Sequence, residues 1–252
     1  MPHQFSLSLT ALDVLLEHMR LGRAPAPFEV PYIGTTVEQR GQVRGAVFRE
    51  LENQGLAGRG RFDPDLELAL HTFTGAPIAI TAVAQLEDGK QLFARAASNG
   101  QYALVAKQDE NSMIFTDVRP AAIVPGVVDL LPLTAAAAGQ SVTVVKPVKR
   151  AKHRLDDNSY DPFANVAKPR STAPAQLRVV ERIFQKPKLR IGQFSAVVQG
   201  QRLTPTAWFD TEEGRYFVTS RQAEDGQNWL TYAPADNARI AHHIFEQLQP
   251  YQ

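Results

Sequence analysis

Apolar and polar residues alternate at the start of the chain: Phe5, Leu7 and Leu9 are separated by Ser6 and Ser8, the two-residue period of a half-buried strand. The period then lengthens. Leu12, Leu15, Leu16 and Met19 fall at helical spacing, with Thr10 placed to cap the helix and Gly22 to end it. Three prolines within 24–31 exclude regular structure there. A second helix is predicted over 36–53 on Val37, Val43, Val47, Phe48 and Leu51, stopped by Gly55. Asp63 followed by Pro64 marks the start of a third, since proline at the first helical position loses no hydrogen bond.

From 76 to 119 the period returns to two. Strands are predicted over 78–86, 91–97, 101–107 and 112–118, with Asp88-Gly89 and Asn99-Gly100 as tight hairpins. A broken helix over 120–131 and a short strand over 141–145 follow. The stretch 146–173 differs: it holds Pro147, Pro162 and Pro169, a basic cluster over 146–154, and Asp156, Asp157 and Asp161. It reads as a flexible linker or long loop. Beyond it come a helix (174–185), four strands (189–199, 205–210, 215–220, 228–232) and a last helix (235–248).

The two parts align at an offset of 114 residues. Gly100 and Tyr102 fall on Gly214 and Tyr216, Phe115 on Trp229, and Pro120-Ala121 on Pro234-Ala235. So 65–131 and 179–245 read as two copies of a helix–four-strand–helix unit within a single domain, 1–252. A meander must cover its apolar face, and merging two of them hides two edges. The fold class expected is α+β: a central antiparallel β-sheet flanked by helices, with pseudo-twofold symmetry. With a four-residue loop in each central hairpin, Trp208 stands across from Phe217, and the mates are Ala94 and Ala103. The large aromatic pair either fills a shared core or forms an exposed apolar patch for a partner.

Composition narrows the chemistry. Of 252 residues, 27 are Lys or Arg and 26 Asp or Glu, so a net charge of +1 supplies no field for nucleic acid or an anionic membrane. Cysteine is absent, which excludes disulfides, thiolate metal sites and cysteine nucleophiles. The first residues do not read as a secretion signal, lacking a basic start and a continuous apolar run. The apolar stretch 121–139 is interrupted by Pro125, Gly126 and Pro132, and Asp129 would cost about 3 kcal/mol at mid-membrane. It is expected to pack on a core, without membrane insertion.

The search for catalytic motifs is empty. Adjacent His242 and His243 point about 100° apart on a helix and do not jointly grip a metal. The glycines at 55, 58 and 60 follow a helix, not a strand, against a dinucleotide loop. Asp156, Asn158 and Asp161 lack the glycine and final glutamate of a calcium loop. No catalytic residue, metal ligand or cofactor is assigned, and a binding protein is expected, not an enzyme.

Several stretches resemble one family in order along nearly the whole chain: Phe5-Ser-Leu-Ser-Leu, Leu12-Asp-Val-Leu, Leu21-Gly-Arg-Ala-Pro-Ala-Pro-Phe, Arg61-Phe-Asp-Pro-Asp-Leu, Arg119-Pro-Ala-Ala-Ile-Val-Pro, Gly192-Gln-Phe, Trp208-Phe-Asp-Thr-Glu-Glu-Gly-Arg-Tyr-Phe and Ala233-Pro-Ala-Asp. The family is EspG, cytosolic chaperones of actinobacterial type VII (ESX) secretion. The resemblance implies a central antiparallel sheet with quasi-twofold symmetry. It also implies binding to the apolar tip of the PPE partner in a PE–PPE heterodimer, which keeps that substrate soluble for export. The partner surface it implies is the loop after the second strand, here 85–91 with Glu87, Asp88, Gly89 and Lys90, together with part of the sheet and the last helix. Trp208 and Phe217 are the candidate aromatic anchors. Two other readings stay open: a scaffold that self-associates, as a homodimer for instance, and an enzyme with an unfamiliar site.

Overall fold

The computed structural model describes residues 4–146, 174–223 and 227–251. The fold is α+β, a large antiparallel sheet flanked by helices. The chain divides into two units. The first runs to Thr81 and adds Leu92–Val127 and Val197–Gly200; the second holds Ala82–Gln91, Val128–Ala196 and Gln201–Gln252. Of the expected linker, 146–173, residues 147–173 lie outside the described residues, and Lys146 ends a strand.

In the first unit β1 (Gln4–Ser8) leads directly into α1 (Leu9–His18). Ser8, not Thr10, caps this helix: its Oγ accepts from the Ala11 amide at 3.1 Å, which leaves Thr10 inside the first turn. The stop comes before Gly22. Arg20 takes a φ of +57°, and the Leu21 amide donates to Leu16 O at 2.9 Å, closing the helix one residue pair early. α2 (Val37–Asn53) opens on a capping box between Thr36 and Gln39 and closes at Gly55, as its spacing predicts. Buried Arg40 of α2 reaches Asp13 at 2.6 Å and Glu17 through Nε at 2.7 Å, joining α2 to α1.

β2 (Ala57–Gly58) and β3 (Arg61–Phe62) form a small separate ladder. α3 (Pro64–Gly75) starts at Asp63, whose Oδ1 accepts from the Asp65 amide at 2.8 Å. β4 (Ile78–Gln85), β5 (Gln91–Ser98), β6 (Ala103–Asp109) and β7 (Ser112–Val118) make the meander, and α4 (Ile123–Val128) follows. The strand order is β1-β7-β6-β5-β4. Its core gathers Leu12 and Leu15 of α1, Leu66 and Phe73 of α3, and Leu104 and Phe115 of the sheet. The Phe73 ring meets Phe115 edge-on at 5.4 Å, and Phe5 stacks on Phe115 at 4.9 Å.

In the second unit β8 (Val142–Lys146) and α5 (Pro174–Gln185) precede a second meander of β9 (Arg190–Val198), β11 (Thr206–Thr211), β12 (Gly214–Gln222) and β13 (Asn228–Pro234). A two-residue strand, β10 (Gln201–Arg202), pairs with β9, and α6 (Asn237–Leu248) closes the chain. The order is β9-β11-β12-β13-β8. α5 sets Val180 and Ile183 against Phe209, Val218 and Tyr232. α6 begins at Asp236, whose Oδ1 accepts from the Arg239 amide at 2.8 Å, and buries Ile240, Ile244 and Leu248.

The two central hairpins differ in register. Trp208 stands opposite Phe217, as expected. Ala94, however, faces Lys107, and Ala103 faces Ser98, so the expected Ala94–Ala103 pair does not form. The turns explain the four-residue slip. Asn99 Oδ1 accepts from the amides of Gln101 and Tyr102 at 3.0 and 2.8 Å, with Gly100 at φ +94°, so the loop is 99–102. In the second hairpin Thr211 Oγ1 donates to Gly214 O at 3.1 Å and closes a two-residue loop, Glu212-Glu213.

Candidate functional site

The turn after β4 is built from its own residues. The Leu86 amide donates to Lys90 O at 2.6 Å and the Lys90 amide to Glu87 O at 3.1 Å. Asp88 and Gly89 both take positive φ, +56° and +72°, which Asp and Gly tolerate better than other residues. The result is a short tip on which Glu87, Asp88, Gly89 and Lys90 are all exposed. This places the four predicted loop residues on one accessible turn.

Trp208 and Phe217 are placed differently. Trp208 is 1% exposed and Phe217 8% exposed. Both rings are therefore buried in the second unit, in keeping with the first of the two readings of this pair, core filling. The Arg215 guanidinium lies 4.6 Å from the Trp208 ring centre, and Phe217 packs against His243 at 5.3 Å. His242 and His243 diverge as predicted: His242 pairs with Glu246 on the exposed side at 3.3 Å, and His243 turns inward to Phe217. Burial holds the His243 imidazole below its ordinary pKa, with the charge of Glu246 acting the other way and that of His242 adding to it.

Between the turn and α6 runs a set of charged residues that sequence reasoning did not single out. Arg215 is fully buried and Asp210 1% exposed. Arg215 grips Asp210 with two parallel bonds, Nε to Oδ1 at 2.6 Å and Nη2 to Oδ2 at 2.9 Å. Asp210 Oδ2 also accepts from Arg190 Nη1 at 3.1 Å and from Thr134 Oγ1 at 3.2 Å. Arg190 Nη2 reaches outward to Glu87 Oε1. Arg215 donates onward through Nη1 to Asn237 Oδ1 and through Nη2 to Pro132 O at 3.0 Å. Asn237 is the first residue of α6. One signal was present in the sequence: Asp210 directly follows the apolar run Ala207-Trp208-Phe209 of β11, where a charge is tolerated only when paired, although nothing there names its partners.

Beside Arg190 lies a cavity of about 440 Å³ with apolar walls from Phe184, Leu189 and Ile191 and cations from Lys186 and Lys188. Its cations are engaged. Lys186 pairs with Glu213, and Lys188 Nζ donates to the carbonyls of Ile183 and Phe184 at 3.0 Å each, at the C-terminus of α5. Burial, and next the charge of Lys186, hold the Lys188 ammonium below its usual pKa. Among the described residues no helix is long and apolar enough to cross a membrane, and no group of three His, Asp or Glu side chains is placed to hold a metal.

No curated protein matches the chain. Fourteen solved chains match in structure. One is the Mycobacterium tuberculosis type VII secretion system chaperone EspG5, solved in complex with the PE25–PPE41 dimer; the TM-score is 0.67 at 14% identity, over 99% of this chain and 97% of that one. At that identity the likeness speaks for the fold. The family model for the EspG family matches residues 8–246. The chain belongs to the EspG family.

Proposed function

We propose that this chain is a chaperone of type VII secretion that binds the apolar tip of a PE–PPE-type heterodimer and keeps it soluble until export. The observation that carries the reading is the family match across nearly the whole chain, joined to a fold shared end to end with a chaperone captured on such a dimer. A helical bundle with an exposed apolar tip aggregates unless that patch is covered, and a reversible cover buries on the order of 1,200–2,000 Å². We place the contact on the 85–91 turn, with Asp88 and Lys90 as polar rim, and on the exposed side of α6. Trp208 and Phe217 support this surface from beneath and do not touch the partner. The protein works by binding, not by catalysis, and acts in the cytoplasm, where the substrate is made.

The test is co-expression of the chain with PE–PPE-type heterodimers, followed by size-exclusion chromatography. A stable complex with one chaperone per heterodimer supports the reading. Elution of the chain apart from every heterodimer tried, with the heterodimers soluble on their own, removes it.

A further inference from the structure

We infer that Arg190 is a positioning residue that sets the 85–91 turn and the first turn of α6 together, through one relay of side chains: Glu87–Arg190–Asp210–Arg215–Asn237. The consequence for partner binding rests on the function proposed above; the relay itself does not.

Its charges alternate, minus, plus, minus, plus, and end on a neutral amide. The set is therefore balanced, and at its inner end removing Asp210 or Arg215 leaves the other fully buried without its counter-charge. Asp210 is the hub, taking the fork of Arg215 together with Arg190 Nη1 and Thr134 Oγ1. Arg190 faces both ways, with Nη1 on Asp210 and Nη2 on Glu87. Only a planar, multi-donor cation holds two carboxylates in fixed directions; an ammonium is a point charge without that geometry. At the far end Asn237 Oδ1 accepts from Arg215, and Asn237 Nδ2 donates to Leu131 O at 3.4 Å, so the first residue of α6 is pinned by its side chain.

The outer end is open. The Glu87 side chain is 59% exposed and that of Arg190 17%. Glu87 thus spends its carboxylate on Arg190, whereas Asp88 and Lys90 carry no ion pair among the described residues. Glu87 orients the turn, and Asp88 and Lys90 supply the charge that a partner meets.

The test is residue-resolved amide hydrogen exchange on the full chain, which needs no partner. Glu87→Gln keeps the shape and removes the charge at an exposed position. It is expected to speed exchange of the Leu86 and Lys90 amides roughly tenfold. The Ile240 amide, which donates to Asp236 O in the first turn of α6, is expected to speed up severalfold, with the β12–β13 ladder unchanged. Arg190→Lys is expected to give the same pattern although the charge is kept, and the double variant no more than either alone. If Leu86 and Lys90 speed up but Ile240 does not, the turn is held locally and the relay is overturned. Acceleration of every amide in the unit reduces Arg190 to general stability, and no change at all removes the role. Should Arg190→Lys fail to fold, Glu87→Gln still decides.

Discussion

The indole of Trp208 lies over the bare backbone of Gly192, its cross-strand neighbour on β9. A Cβ at Gly192 would stand 2.8 Å from Cε2 and Cζ2 of that ring and 2.7 Å from the Cβ of Ala84. Here glycine is required by space, not by backbone conformation. Gly192→Ala is expected to destabilise the protein by about 1–3 kcal/mol. In a Trp208→Leu background the same substitution is expected to cost less, because one of its two obstacles is gone. Chemical denaturation of the four proteins closes this double-mutant cycle; strict additivity would mean that the ring and the glycine do not share the space.

Trp208 itself is core. Trp208→Ala is expected to lose about 3–5 kcal/mol of stability, with partner affinity per folded molecule unchanged. Denaturant melts set beside a binding titration at a temperature where the variant is folded separate the two effects.

Asp210 carries the buried charge balance. Asp210→Ala leaves Arg215 fully buried without its carboxylate, and a loss of about 3–5 kcal/mol is expected. Thr134→Val, which removes one donor to Asp210 and one acceptor shared by Arg190 and Arg215 but no charge, is expected to cost less, about 1–3 kcal/mol. Thermal unfolding of both variants checks the ranking.

His243 makes stability depend on pH. Its folded pKa lies below the ordinary 6.5, so the unfolded chain takes up a proton that the folded chain resists. Stability is therefore full above about pH 7.5 and declines as pH falls through 6.5 toward the lower folded value. The effect is screened, because the ring is only partly buried between Phe217 and Gln247. His243→Gln is expected to flatten the fall in melting temperature between pH 7.5 and 5.5. An unchanged slope would assign the pH dependence to other groups.

Much of the architecture was legible because its signals are local. The cap at Asp63, the stop at Gly55 and the two turns at Asp88-Gly89 and Asn99-Gly100 depend on neighbouring residues alone. The start of α1 was misplaced because Ser8 and Thr10 are both good caps, and only the partner amide at Ala11 chooses between them. The register of the first hairpin was missed because Asn99 recruits the amides of Gln101 and Tyr102 and sets the loop at 99–102, two positions later than the alignment with the second hairpin centres it. We propose that 65–131 and 179–245 derive from one unit, with a slip at that hairpin; an overlay of the two stretches in an experimental structure tests this. The exposed turn at 87–90 was legible from the family resemblance. The Arg190–Asp210–Arg215 network was not, since pairing between charges 20 and 5 residues apart is decided by which side chains the sheet brings together.

The central claim is that the 85–91 turn meets the partner. The direct measurement is stopped-flow association of a PE–PPE-type heterodimer, shown to co-purify with the chain, against the native chain and an Asp88→Asn/Lys90→Glu variant, in which asparagine suits the positive φ at 88, over a range of salt concentrations. Rim charges act chiefly on encounter. The account predicts an association rate about tenfold lower for the variant at low salt, an altered salt dependence, and an unchanged melting temperature. Equal rates with the same salt dependence for both proteins would contradict it and move the partner surface away from this turn.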